Sequence, residues 1–526
     1  MVAVARVACR AQVGLHAPLV QVEVSLASGL PAFCIVGLPA TVVKESKERV
    51  RSALLNSRFE FPAGRITVSL SPAELPKEGG RFDLPIALGI LMASGQIRPP
   101  APDGGSCEFY GELGLTGELK PVRGLLLAAA HARAQGHELI VPQANAAEAA
   151  AAAPALAHAA GHLLEVCAHL RGTAALPRCA SGPRRGASQG GRPAPQPCLD
   201  LADVRGQLLA KRALIVAAAG SHSLLLVGPP GSGKTMLARR LPGLLPPLAE
   251  SEALEVAAIA AVSAAGLPAG GFGERPFRAP HHSASVAALV GGGARALPGE
   301  ISLAHHGVLF LDELPEFARA LLEALREPLE TGVAAVSRAA VQTHYPAAFQ
   351  LVAAMNPCPC GRLGDPSGSC RCTPSQVRRY RGRISAPLLD RIDLHVEVPR
   401  LAPAEFETPV PSAETSAAAA TRVARARAMQ IERQGTCNAR LDDGGIERWC
   451  APDAAGARLL VRTLQRLGLS GRGRQRLLRV ARSIADLAGA PGVSAGHIGE
   501  AVMLRFMDRV DRAATAPAAA CDRRPA

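Results

Sequence analysis

Long apolar runs are missing from this chain: no uninterrupted apolar stretch reaches the roughly 18 residues that a membrane-crossing helix needs. Met1-Val2-Ala3-Val4-Ala5-Arg6 has neither the charged start nor the long apolar centre of a secretory signal. Both absences predict a soluble, cytoplasmic protein with no membrane partner. Lysine is scarce too. Only six of the 58 basic residues are lysine, so the net charge of +14 rests on arginine. Abundant Ala, Gly, Pro and Arg suggest a GC-rich genome, which accounts for part of that excess; the remainder favours a polyanionic partner. The thirteen cysteines are an odd number. A disulfide framework is not expected in a reducing compartment, which leaves metal binding or buried thiols.

What is present centres on Leu224 to Thr235. A short apolar strand runs into Gly228-Pro229-Pro230-Gly231-Ser232-Gly233-Lys234-Thr235, and a helix opens behind it. This is G-x-x-x-x-G-K-[ST] in its required context, a P-loop. Its glycines let backbone N–H groups turn towards phosphate oxygens, aided by the positive end of the helix dipole. Lys234 would meet the β and γ phosphates, and the Thr235 hydroxyl would complete the shell of a Mg²⁺ ion. ATP or GTP is the expected ligand. A second apolar strand ends at Asp312-Glu313, where Asp312 can hold Mg²⁺ through water and Glu313 can polarise the attacking water. A third strand, Phe349 to Met355, ends at Asn356, a polar group able to orient the same water.

These motifs, in this order and followed by Leu388-Leu389-Asp390-Arg391-Ile392-Asp393, resemble the AAA+ ATPases. With Arg278-Ala279-Pro280-His281-His282 and Asn356-Pro357-Cys358-Pro359-Cys360-Gly361, the chain resembles the magnesium-chelatase-like group, specifically its ComM/YifB-type bacterial members, from near residue 1 to about 513. The resemblance implies ATP and Mg²⁺ as cofactors and a homo-hexameric ring. Arg391 would reach the neighbour's γ-phosphate, Val204 and Gln207 would border the adenine, and Arg472 would act as second sensor, with Arg474 and Arg476 close by. It also implies a helix-2 insertion at 266–299 pointing into the ring's pore. Arg275, Arg278 and Arg295 there, with Arg338 near the tip of a hairpin over 332–344, are the DNA-contact candidates.

The expected fold class is α/β and multidomain. Residues 1–172 form an α+β domain, with strands such as Val22 to Leu26 and Arg65 to Leu70 and a helix over Leu84 to Ala93. It is similar to the ribosomal-S5-like fold of the Lon proteolytic domain. That comparison places the nucleophile at Arg81 and its lysine partner at Leu126, and neither can do that chemistry. Residues 173–197, rich in Pro, Gly, Arg and Ser, read as a flexible linker. A central P-loop α/β core spans 198–400, a helical lid 401–513, and a disordered tail 514–526. The alanine-rich stretch 146–160 reads as helix broken or kinked at Pro154. The run Lys44, Lys47, Arg49 and Arg51 reads as a solvated helix face.

Cys358, Cys360, Cys370 and Cys372 form two Cys-x-Cys pairs that suit either a structural Zn²⁺ site or a cluster of reduced thiols. Adjacent His281 and His282 suit hydrogen bonding better than shared metal ligation. The expected function is an ATP-dependent DNA motor, a branch-migration helicase acting in recombination during natural transformation. The alternative is a protein-remodelling or magnesium-chelatase-type motor acting on a protein partner. The insertion offers only Phe272 and Phe277 as aromatics, which tilts the reading towards DNA.

Overall fold

The computed structural model describes residues 3–38, 40–77, 79–98, 107–179, 199–263, 272–293, 296–338, 341–364, 369–401, 414–505 and 507. They fall into two compact units, 1–190 with 249–273, and 191–248 with 274–526.

In the first unit, seven strands form a mixed sheet in the order Ala32–Val36, Arg65–Ser71, Leu19–Ala27, Ala3–Arg10, Cys107–Phe109, Glu138–Pro142, Ala157–Ala160. Strand alternation follows from the sequence. Val20, Val22 and Val24 point inward, and across the antiparallel ladder Val22 faces Leu70 and Val24 faces Val68. The helix Asp83–Ala93 is apolar all round because almost all of it is buried. Its first turn is anchored by Asp83, which accepts from Arg49 Nε at 2.7 Å and from the Leu113 N–H at 3.2 Å. Arg49 therefore leaves the expected solvated charge run. Gly89 lets this helix approach the sheet, since a Cβ there would lie 2.5 Å from Val24 Cγ2.

Three expectations need correction in this unit. The alanine-rich stretch is helical only over Ala146–Ala152; beyond Pro154 the chain becomes the buried edge strand Ala157–Ala160. Pairing with Leu139 to Pro142 supplies what weak alanine propensity does not. The proposed linker starts too early, because Leu176 and Cys179 are buried in the first core and Cys179 N–H bonds to Ala157 O at 2.8 Å. Residues 180–198 lie outside the described residues. The helix Glu250–Val262 belongs to the first unit and not to the nucleotide-binding core, with Ala257 and Ala258 in the first core and Glu250 paired to Arg133 at 3.0 Å. Arg81 donates to the carbonyls of Arg123 and Arg10 and to Gln12 Oε1, while Leu126 is buried.

The second unit is built on a five-stranded parallel sheet in the order Phe277–Arg278, Val308–Leu311, Gln350–Met355, Leu224–Val227, Leu394–Glu397. Its three central strands are buried throughout, as apolar runs covered on both faces must be. One face buries Leu224, Leu226, Phe310 and Val352 against the helix Leu208–Gly220 and the C-terminal helices Ser416–Gln434 and Gly471–Leu487. The other buries Leu225, Val227, Leu309 and Leu351 with Leu321, Leu322 and Leu388. The helical region after residue 413 thus shares a core with the sheet. The tail 514–526 lies outside the described residues. Among them, no helix is long and apolar enough to cross a membrane.

Overpacking at the helix–sheet contact should be costly: Gly89→Ala is expected to destabilise the first unit by about 1–3 kcal/mol, read as a lowered thermal or urea midpoint. An unchanged midpoint would show that the contact is loose.

Candidate nucleotide site

Carboxyl ends of parallel strands collect ligands because the loops that leave them converge there. Here the P-loop leaves Leu224–Val227, Asp312 and Glu313 leave Val308–Leu311, and Asn356 leaves Gln350–Met355. The Gly228 N–H bonds to Met355 O at 3.1 Å, so the loop starts from the end of the neighbouring strand. Only glycine fits at Gly228, where a Cβ would sit 2.1 Å from Val398 O. Gly231 and Gly233 have φ of +75° and +94°, and a Cβ on either would meet nothing within 4 Å. The loop therefore opens onto free space of the kind a phosphate chain fills.

Lys234 is buried and turns its ammonium onto the carbonyls of Gly228 at 2.7 Å and Pro229 at 2.9 Å and onto Asn356 Oδ1 at 3.3 Å. Burial pushes its pKa below the usual lysine value, against the opposing pull of Asp312 and Glu313. Phosphate oxygens would offer that ammonium better acceptors than carbonyls. Thr235 Oγ1 donates to Asp312 Oδ2 at 2.7 Å, which brings together two oxygen donors of the kind Mg²⁺ takes. Asp312 Oδ1 accepts from the Glu313 N–H at 3.0 Å. Glu313 itself adopts φ +54°, a left-handed conformation costly for a residue with a side chain and typical of functional turns. Gln207, also left-handed, donates from Nε2 to Pro399 O at 2.6 Å and Ser232 O at 3.4 Å. Val204 is buried beneath.

The structure thus joins Gly228 to Thr235, Asp312, Glu313, Asn356 and Gln207 in one place. Other candidates stand apart. Arg391 does not extend: its side chain is 7% exposed, with Nη1 donating to Pro387 O at 2.8 Å and Nη2 paired to Glu330 at 2.5 Å. Arg472 and Arg474 are exposed on the first turn of Gly471–Leu487, and Arg472 makes none of the P-loop's contacts. Arg476 is instead largely covered, its side chain 12% exposed and 3.8 Å from Asp393.

Two DNA candidates are held by internal contacts. Arg278 forms a paired bond to Glu300 at 2.6 and 2.7 Å, and Arg275 donates to Pro246 O and His306 O. Both lie in or beside the edge strand and not on a loop tip, and the paired Arg278 side chain is still 41% exposed. Of the expected insertion, residues 272–293 and 296–299 are described, and they hold the edge strand Phe277–Arg278, the short helix Val286–Val290 and a hairpin of Gly291–Gly292 with Leu297–Pro298; Arg295 lies outside the described residues. Arg338 ends the strand Val333–Arg338 and pairs with Val341, in the expected hairpin. Phe272 packs on the first core, and Phe277 stacks on Phe310 at 6.0 Å.

Sequence reasoning missed two contacts of the candidate residues. His282 Nδ1 lies 3.5 Å from Glu313 Oε2, while its ring stacks on His281 at 4.0 Å. Glu330 holds Arg391. The adjacent histidine pair and the Asp-Glu turn were legible separately, but nothing local in sequence links either contact.

Comparison with known proteins follows the same residues. Family profiles described as "Magnesium chelatase, subunit ChlI", "Subunit ChlI of Mg-chelatase" and "Magnesium chelatase, subunit ChlI C-terminal" match residues 200–406, 22–145 and 413–505. Salmonella typhimurium "Uncharacterized protein YifB" and Haemophilus influenzae "Competence protein ComM" are each 48% identical over 501 residues, covering 95% of this chain and 97% of theirs. The chain belongs to the magnesium-chelatase-like family, with the ComM/YifB proteins. A 43% identical protein of Mycobacterium tuberculosis extends the likeness over 91% of the chain. The parallel-sheet core with a helical C-terminal region fits the AAA+ fold of these magnesium-chelatase-like proteins.

At the amino ends of Leu224–Val227 and Leu394–Glu397, this magnesium-chelatase-like chain carries a buried cluster of charged and polar groups around Asp393. Burial would raise the Asp393 carboxyl, but the hydrogen bond and charge of His222 outweigh it, with Arg476 and the Ser223 N–H, and hold it at about 2. A carboxyl depressed on folding stabilises above its unfolded pKa and loses that contribution as pH falls. Asp393 should therefore contribute on the order of 2 kcal/mol above about pH 4, lost as pH drops through about 2. Asp393→Asn should remove that share of the acid-limb slope in urea titrations at successive pH values; an identical slope would contradict that contribution.

Proposed function

We propose that this chain is an ATP hydrolase that assembles into a hexameric ring and moves branched or single-stranded DNA, acting in recombination during natural transformation. The observation that carries the hydrolase is the convergence of Lys234, Thr235, Asp312, Glu313 and Asn356 at the carboxyl ends of the three central strands. The DNA part rests on similarity to the competence protein of Haemophilus influenzae and on the arginine-borne charge of +14.

In this reading the P-loop N–H groups and Lys234 hold the triphosphate. Thr235 and Asp312 would hold Mg²⁺, which when bound would neutralise the charge that builds on the phosphates. Glu313 polarises the attacking water, Asn356 orients it, and His282 positions the Glu313 carboxylate. Arg391 serves the neighbour's site, and it must leave Glu330 to do so. A ring interface that separates the two would make turnover depend on assembly. Arg472 as second sensor and the lid 401–513 complete the nucleotide pocket. The first unit is read as a Lon-like, S5-type domain without protease chemistry, since Arg81 and Leu126 stand where nucleophile and base would be. Arg275, Arg278, Arg295 and Arg338 are the DNA-contact candidates in this reading.

A magnesium-chelatase-type motor on a protein partner is the second reading, favoured by the family description itself. The two part on a labelled four-way junction: ATP-driven branch migration supports the DNA motor, and its absence with ATPase activity intact favours the protein partner.

Lys234→Ala should lower ATP turnover at least about 100-fold with the circular dichroism spectrum unchanged; undiminished hydrolysis would remove the P-loop assignment. Arg391→Ala should bind nucleotide normally yet stall. Mixing it with Glu313→Gln subunits, which retain Arg391, should restore part of the turnover. No recovery on mixing would contradict action in trans.

A further inference from the structure

Immediately after Asn356 the chain makes a turn in which four sulfurs meet. Cys358 Sγ lies 3.4 Å from Cys360 Sγ and 3.8 Å from Cys370 Sγ, and Cys360 Sγ lies 3.7 Å from Cys370 Sγ. With Cys372, all four ligand atoms fall within 4.8 Å of one another. Disulfide sulfurs would be about 2.05 Å apart, so none of these contacts is a disulfide. A tetrahedron with Zn–S bonds of about 2.3 Å has edges of about 3.8 Å, close to the three separations seen. A bridged iron–sulfur cluster would need the sulfurs farther apart.

The surroundings suit thiolates. Leu363 N–H donates to Cys358 Sγ at 3.3 Å, and the Arg362 N–H points at the Cys360 sulfur. Such N–H contacts are the outer support that metal-bound sulfur needs. Cys358 is buried while Cys360 is exposed, which places the group at the surface with one ligand rooted in the core. The donor set of four soft sulfurs with no oxygen or water position selects zinc over Mg²⁺ and leaves nothing open for catalysis.

The turn also touches the nucleotide site. Gly361, with φ +76°, has its N–H on Cys358 O at 3.0 Å, and a Cβ on it would lie 2.5 Å from Pro230 Cδ and 3.9 Å from the Asn356 side chain. Gly361 therefore packs closely against the P-loop at Pro230 and lies beside the Asn356 side chain. The Pro357 carbonyl on the same turn accepts from Arg381 at 3.3 Å.

We propose that Cys358, Cys360, Cys370 and Cys372 bind one structural Zn²⁺ ion, which braces the P-loop and Asn356. The zinc claim stands without the proposed function; the brace rests on the nucleotide reading. The purified full chain should carry one zinc per chain by elemental analysis. An organomercurial should release it as the four thiols react, with a chromogenic chelator reporting the metal. Cys360→Ser and Cys370→Ser should each lose most of it. Iron in place of zinc, four freely titrating thiols with no metal, or a pair of disulfides would each overturn the site.

For the brace, zinc stripping under reducing conditions should weaken binding of a fluorescent ATP analogue about 10-fold or more, in the range seen for lost outer-shell support. Gly361→Ala should keep the zinc and still weaken nucleotide binding, because the added methyl meets Pro230. Equal binding before and after stripping would overturn the brace while leaving the metal site standing. If the zinc-loaded wild type binds no nucleotide at all, the nucleotide reading fails and the metal stoichiometry still stands.

Discussion

Register among three buried parallel strands is the constraint on which the nucleotide site depends. Leu226 lies opposite Ala354, and Phe310 opposite Val352, so the ends of Leu224–Val227, Val308–Leu311 and Gln350–Met355 arrive together. Because the side-chain period of a strand is two, a slip by one residue would swap the apolar sets between the sheet's two faces and put the polar ends out of line. The 2.7 Å bond from Thr235 to Asp312 and the 3.3 Å bond from Lys234 to Asn356 are consequences of that alignment. Apolar burial on both faces holds the register; the chemistry sits where the apolar runs stop.

Charges around this frame are held in pairs, and the pairing limits what each can do. Arg278 is held by Glu300, Arg391 by Glu330, and Arg476 faces Asp393. Arg391, with its side chain 7% exposed, is thereby kept largely from solvent. The same logic applies within the first unit, where buried Arg10 binds buried Glu108 at 2.7 Å with His137 on the same carboxylate at 2.8 Å. Removing one member of such a buried pair leaves an uncompensated charge and is expected to be far more damaging than replacing both.

The nucleotide site was legible in the sequence because its chemistry is local: Gly228 to Thr235 is contiguous, and Asp312, Glu313 and Asn356 each follow an apolar run. Strands around Val22 and Ile66 and the helix after Asp83 were legible because burial repeats with their own period. What stayed hidden depends on distant partners. Alanine carries no strand preference, so Ala157–Ala160 became a strand only through its neighbour Glu138–Pro142. The helix Glu250–Val262 has a weakly amphipathic, alanine-rich sequence that does not announce which core receives it. Arginines look alike in sequence, and only the positions of Glu300 and Glu330 distinguish a tethered guanidinium from a free one. Likewise the Cys-x-Cys pairs were visible, but their placement against Pro230 and Asn356 required the fold.

The central claim, ATP hydrolysis coupled to DNA, is tested most directly by the ATPase rate with and without single-stranded, duplex and four-way-junction DNA at two salt concentrations. The account predicts stimulation by DNA that weakens as salt rises, because phosphate contacts release counterions. A rate that no DNA changes at either salt would contradict it.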